Sequence, residues 1–130
     1  MTYLERAQDL YDMMSADKTM EAFEKYYHND VVVVEPDGET RKGKDAQRKA
    51  IQEWFAAVEE MHGGETEFVT SNEDDQVTMV QSFADVTMHG ERMPFREIAV
   101  QQWQDDQIIR EEFFYFVPAE VQQKMAALQK

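Results

Sequence analysis

Val31-Val32-Val33-Val34-Glu35-Pro36-Asp37-Gly38 is the stretch from which the rest of this chain is read. Four consecutive β-branched residues read as a largely buried strand, and Pro36 to Gly38 reads as the loop that ends it. A carboxylate stands where the strand leaves the core. Such a group is solvated at the rim, paired with a cation, or held in a pocket where loss of water disfavours its charged form. Only the last arrangement points to chemistry.

Upstream of this strand the spacing is helical. Thr2 and Glu5 have capping-box spacing, and Leu4, Ala7, Leu10, Tyr11 and Met14 fall on one stripe. A second helix, from about Asp17 to Thr19 onward, aligns Met20, Phe23, Tyr26 and Tyr27, and His28-Asn29-Asp30 reads as the turn into the valine strand. Downstream, Pro36 to Gly43 reads as a loop. A third helix aligns Ile51, Trp54, Phe55, Val58 and Met61, with Gly63-Gly64 as its stop. Four strands follow: Glu67–Thr70, about Val77–Met88, Met93–Gln104 and Ile108–Val117, joined by short polar turns as in an antiparallel meander. Pro118 opens a short closing helix with Val121, Met125 and Leu128 on one face. The order is α-α-β-α-β-β-β-β plus that helix, an α+β class. Strands this long must curl, and helices over the concave side enclose a pocket.

Composition narrows the partners. The 130 residues fit one domain, residues 1–130. With 13 Lys and Arg against 27 Asp and Glu, the net charge of −14 argues against nucleic acid or an anionic membrane as partner. There is no cysteine, so disulfides, thiolate metal sites and a cysteine nucleophile are excluded. No basic leader with an apolar stretch opens the chain, and no apolar run reaches the ~20 residues of a membrane span. The expectation is a cytoplasmic protein. His28, His62 and His89 lack metal-ligand spacing, and no nucleophile elbow or phosphate loop is present, so neither metal nor cofactor is expected.

The element order, with Lys42-Gly43-Lys44-Asp45-Ala46 opening the third helix and Ile108-Ile109-Arg110-Glu111 opening the last strand, resembles the nuclear transport factor 2-like superfamily, and within it the small SnoaL-like proteins. The resemblance covers about Leu4 to Val117. It implies a cone-shaped α+β barrel with a central apolar pocket for a small hydrophobic molecule, often paired as a homodimer through the outer sheet face. Similarity to the ketosteroid isomerases of that superfamily implies Glu35, before Pro36, at the base position and Tyr11 as an oxyanion donor. Gln101 then stands where those enzymes carry a protonated acid, so steroid isomerisation is not implied. The implied activity is acid–base chemistry on a hydrophobic carbonyl or polyketide-like compound, as in an isomerase, cyclase or hydrolase. The alternative is a non-catalytic ligand-binding or dimerising module.

Each candidate has a plainer reading. Glu35 pairs locally with Arg41 or Lys42, and Tyr11 is a core tyrosine with a satisfied hydroxyl. Period two puts Phe95, Glu97, Ala99, Gln101 and Trp103 on one strand face, and the isomerase similarity turns that face to the pocket. A phase error of one would reverse it. The last strand separates Arg110, Glu112, Phe114 and Phe116 from Ile109, Glu111, Phe113, Tyr115 and Val117. Glu111 and Glu112 cannot both be inside, and the pocket set takes Glu112 and Phe114. Trp54 completes the lining. Asp85, in mid-strand, faces the pocket or makes an ion pair with Arg96.

Overall fold

A computed structural model describes residues 1–116 and, beyond them, Ala119, Glu120 and Gln123. The expected closing helix and the side chain of Phe116 lie outside the described residues. Helix α1 (Tyr3–Ser15) starts at a complete capping box: Thr2 Oγ1 accepts from Glu5 N at 3.0 Å, and Glu5 Oε1 accepts from Thr2 N at 2.9 Å. The Glu73 carboxylate accepts from the amides of Tyr3 (2.8 Å) and Leu4 (3.1 Å), which ties the helix start to a distant turn and satisfies two amides that have no partner within the helix. Helix α2 (Thr19–Tyr26) passes directly into β1 (Tyr27–Val34). The expected His28–Asp30 turn is therefore part of the strand.

Within the stretch read as a loop, Thr40–Lys42 pairs antiparallel with β1 as β2. Gly43 then adopts φ +95° and ψ 149°, a conformation essentially reserved for glycine, and its amide donates to Val31 O at 2.7 Å. From there α3 (Lys44–Ala57) runs back along β1.

The sequence expectation fails at the end of α3. Val58 and Met61 lie in β3 (Val58–Asn72), and Gly63-Gly64 is mid-strand instead of a helix stop. The pairing with β4 (Val77–Met88) shifts register three times, after Val58, Met61 and Thr66. Each shift breaks the period-two signature of a strand. Gly64 is needed for a close approach: a Cβ there would lie 3.3 Å from Phe83 O.

Strands β5 (Glu91–Gln104) and β6 (Gln107–Phe116) complete a six-stranded sheet in the order β2-β1-β6-β5-β4-β3. The β1–β6 contact is parallel and the others antiparallel. The sheet is open, with β2 and β3 at its edges. Helices α1 and α2 cover its inner face around a core of Ala7, Leu10, Phe23, Val31, Val33, Val80, Trp103 and Ile108. The outer face carries exposed Phe68, Met79 and Phe114.

Candidate active site

The alternation that buries Val31 and Val33 places Glu35 on the same inner side, just past the end of β1. Its backbone closes the loop: Glu35 N donates to Glu39 O at 2.8 Å, and Gly38 N donates to Glu35 O at 2.8 Å. This turn returns the chain as β2 and brings Arg41 opposite Val33. The Arg41 guanidinium donates to Glu35 Oε1 and, through Nε, to Gln47 Oε1 at 2.9 Å. Gln47 is buried on α3, so the helix holds the arginine and the arginine holds the acid. The local pairing expected of Glu35 is thus present, and its partner is Arg41.

Glu35 and Arg41 form one wall of a cleft of about 630 Å³. Trp54 enters from α3, Phe95 from β5 and Tyr115 from β6. Val86 and Met93 extend the apolar lining, while Asp37, Glu39 and His89 stand among the lining residues as polar groups. Phe95 and Tyr115 meet edge to face, with centroids 5.6 Å apart. Behind Tyr115 lies Glu97, its cross-strand neighbour and hydrogen-bond partner. Burial, reinforced by the charges of Glu111 and Glu35, pushes the Glu97 carboxyl up to about 8.

Away from the cleft the same sheet face carries a sealed polar chain. Trp103 Nε1, which can only donate, gives its hydrogen to Thr78 Oγ1 at 2.8 Å. The Thr78 hydroxyl must then donate onward, to Gln101 Oε1 at 2.7 Å. That fixes the amide orientation of Gln101, whose Nε2 donates to Tyr11 Oη (3.2 Å) and to Glu111 Oε2 (2.9 Å). Tyr27 Oη donates to Glu111 Oε1 at 2.5 Å. Glu111 therefore accepts on both oxygens, the pattern that suits a carboxylate. Burial pushes it up to about 7, against the pull of the Tyr27 and Gln101 hydrogen bonds. Tyr11 and Tyr27 are raised well above the usual tyrosine value, first by burial and then by the charge of Glu111.

The structure brings Glu35, Trp54 and, through Tyr115, Glu97 together at the cleft. It places Tyr11, Gln101 and Trp103 in the buried chain, outside the cleft lining. Trp103 packs against Tyr3 at a tilt and against Tyr26 edge to face, centroids 5.8 Å apart in both cases, so its pocket-lining assignment is corrected to core. Three further assignments are corrected. Glu112 faces outward and pairs with Arg110 at 3.0 Å, because Glu111 takes the inner position opposite Gln101. Phe114 is on the outer face, 43% exposed. Asp85 lies on the outer side of β4 and pairs with Arg92 at 2.8 Å, while Arg96 pairs with Glu67 at 2.5 Å.

Glu111, Tyr27 and Tyr115 were not singled out from the sequence as site residues. Two signals favoured Glu111 over Glu112: its strand parity is shared with Phe113 and Tyr115, whereas Glu112 shares parity with Arg110. A charge pair at i and i+2 on one strand face marks the solvent side. Among the described residues no group of three or more His, Asp and Glu is arranged to hold a metal ion.

The two raised carboxyls set a pH slope. Unfolded, each would release its proton near the ordinary value of 4.5; folded, Glu111 holds it to about 7 and Glu97 to about 8. The native state therefore binds more protons across this window. The stabilisation is full below about 4.5 and is lost as pH rises towards 8. Denaturant midpoints taken from pH 5 to 9 are expected to fall steadily, and Glu97→Gln to flatten that fall. A midpoint that rises with pH would contradict the assignment.

The SnoaL-like domain model matches residues 1–115. Among solved structures, the chain is similar to a putative SnoaL-like polyketide cyclase from Mesorhizobium loti, with a TM-score of 0.78 and 29% identity over 88% of this chain and 100% of that one. A putative SnoaL-like polyketide cyclase from Jannaschia sp. CCS1 gives 0.76 and 13%, covering 96% and 90% of the two chains. A putative isomerase from Bacillus subtilis gives 0.73 and 16%, covering 89% and 90%. No curated protein matches. The family match spans the whole framework that carries the cleft, and the chain belongs to the SnoaL-like domain family.

Proposed function

We propose that the cleft takes a small hydrophobic carbonyl compound and that Glu35 acts on it as a general base. The observation that carries this reading is the presence of Glu35 and Tyr115 in one cleft whose apolar lining includes Trp54, Phe95 and Met93. An apolar wall binds the body of the ligand, and a few polar groups fix its orientation. Arg41 engages Glu35 Oε1 and holds the carboxylate in one rotamer, leaving Oε2 to take a proton from the carbon next to the carbonyl. Neighbours described as a putative polyketide cyclase and a putative isomerase support the same class.

A second reading, a ligand-binding module without catalysis, draws support from two observations: Glu35 is ion-paired, and Tyr11 and Gln101 are engaged with each other in the core. Proton exchange separates the two. With 2-acetylnaphthalene in D2O, followed by proton NMR, the wild type should speed loss of the methyl ketone signal, and Glu35→Gln should lose about 100-fold of that rate while keeping its fold. Binding without exchange in the wild type would leave the ligand-binding module.

We further infer that the outer sheet face, with Phe68, Met79 and Phe114 exposed by 48%, 39% and 43%, pairs with a second copy. Light scattering should then give twice the monomer mass, and Phe114→Lys should give the monomer. A monomeric wild type would refute the pairing.

A further inference from the structure

We propose that Glu97 and Tyr115 form a neutral relay in which the Glu97 carboxylic acid donates to Tyr115 Oη and turns the Tyr115 hydroxyl proton into the cleft, towards an oxygen acceptor on the ligand. The inference rests on the carbonyl reading above and names the group that would polarise the carbonyl. Its basis is the register of two adjacent strands. Glu97 on β5 and Tyr115 on β6 are directly opposite on the inner face, and Tyr115 lines the cleft together with Glu35. Two hydrogen-bond directions are open to the pair. An ionised Glu97 accepts the Tyr115 proton and takes it away from the cleft. A neutral Glu97 donates instead, and the Tyr115 proton is released for the ligand.

The surroundings favour the neutral form. The titratable groups that interact with Glu97 are acids and phenols: Glu111 and Tyr115 from β6, Tyr27 from β1, Glu35 from just past its end, and Tyr11 from α1, while β4 places Ser82 opposite it. Glu97 makes no ion pair among the described residues, and the nearby guanidinium, Arg41, is engaged by Glu35 and Gln47. Burial and the two carboxylates accordingly carry Glu97 up to about 8, and burial with Glu97 and Glu35 holds the Tyr115 phenol well above its usual value. Both protons are in place at neutral pH.

The step balances without a further reactant. Glu35 takes the proton from the carbon beside the carbonyl. The C–H electron pair becomes the C=C bond, and the carbonyl π pair moves to oxygen. That oxygen receives the Tyr115 proton, and Tyr115 Oη receives the proton of Glu97. Glu35 ends neutral and Glu97 ends ionised. Tyr115 is the catalytic residue here and Glu97 a positioning residue that acts through it.

The test is the infrared carbonyl stretch of 2-acetylnaphthalene labelled with 13C at the carbonyl and bound to the full chain. In the wild type the band should shift to lower wavenumber at pH 6 and return towards its unshifted position above pH 9. Tyr115→Phe should lose the shift at every pH. Glu97→Gln, whose amide still donates to Oη, should keep the shift and lose its pH dependence. A purely structural role for Glu97 would leave the pH dependence in place. An unchanged band in Tyr115→Phe, or a wild-type shift that is equal at pH 6 and pH 9.5, overturns the relay. Failure of Glu35→Gln to slow exchange, with the band shift intact, overturns the base assignment alone. A ketone with no bound band at saturating dose overturns the carbonyl reading and the relay together.

Discussion

The indole N–H of Trp103 is the constraint on which the inner face of this sheet depends. An indole can only donate, so Thr78 must pass its own proton to Gln101, and the Gln101 amide can point only one way. Glu111 is thereby presented with N–H and O–H donors on both oxygens. Each of these groups would cost about 1–3 kcal/mol if buried without a partner. Among the described residues no buried side-chain polar atom lacks one. The chain also pins the register: a slip of one residue between β5 and β6 would break the Gln101–Glu111 pair and turn each side chain to the opposite face.

That register divides the acids into two environments. Glu111 is met by two donors, one on each oxygen, which favour the carboxylate although burial and the charge of Glu35 oppose it. Glu97 is two inward positions away along β5, opposite Tyr115, and has only that phenol as a hydrogen-bonding partner among the groups that shift it. One carboxyl serves the core and the other stands behind the cleft wall. The cleft keeps Glu35 with Arg41 on the opposing edge, delivered by the short β1–β2 turn.

Much of this was legible in the sequence. The period-two phase of β5 is as read, with Gln101 and Trp103 inside and Arg96 and Gln102 outside. The position of Glu35 at the cleft is the one the family resemblance implied, and of the two local partners the sequence left open, Arg41 and Lys42, the structure gives Arg41. What stayed hidden depends on contacts between distant strands. Gly63-Gly64 looked like a helix stop because glycine commonly supplies a left-handed cap, whereas here it allows β3 to approach Phe83 O. In β6 a bulge beside Ile109 puts Ile108 and Glu111 on the same face although they are three residues apart, so alternation carried from Ile108 points to the wrong acid, and only the parity with Phe113 and Tyr115 beyond the bulge marks Glu111. The pairing of Glu97 with Tyr115 exists only once the register is known.

On this reading the inner face holds Glu97 as a neutral acid behind Tyr115 at physiological pH. Carboxyl 13C NMR of selectively labelled glutamate, with Glu97 assigned by the Glu97→Gln spectrum, tests it without any ligand. The expected titration midpoint lies near about 8, the value to which burial carries this group. A midpoint at the ordinary glutamate value of 4.5 would contradict it.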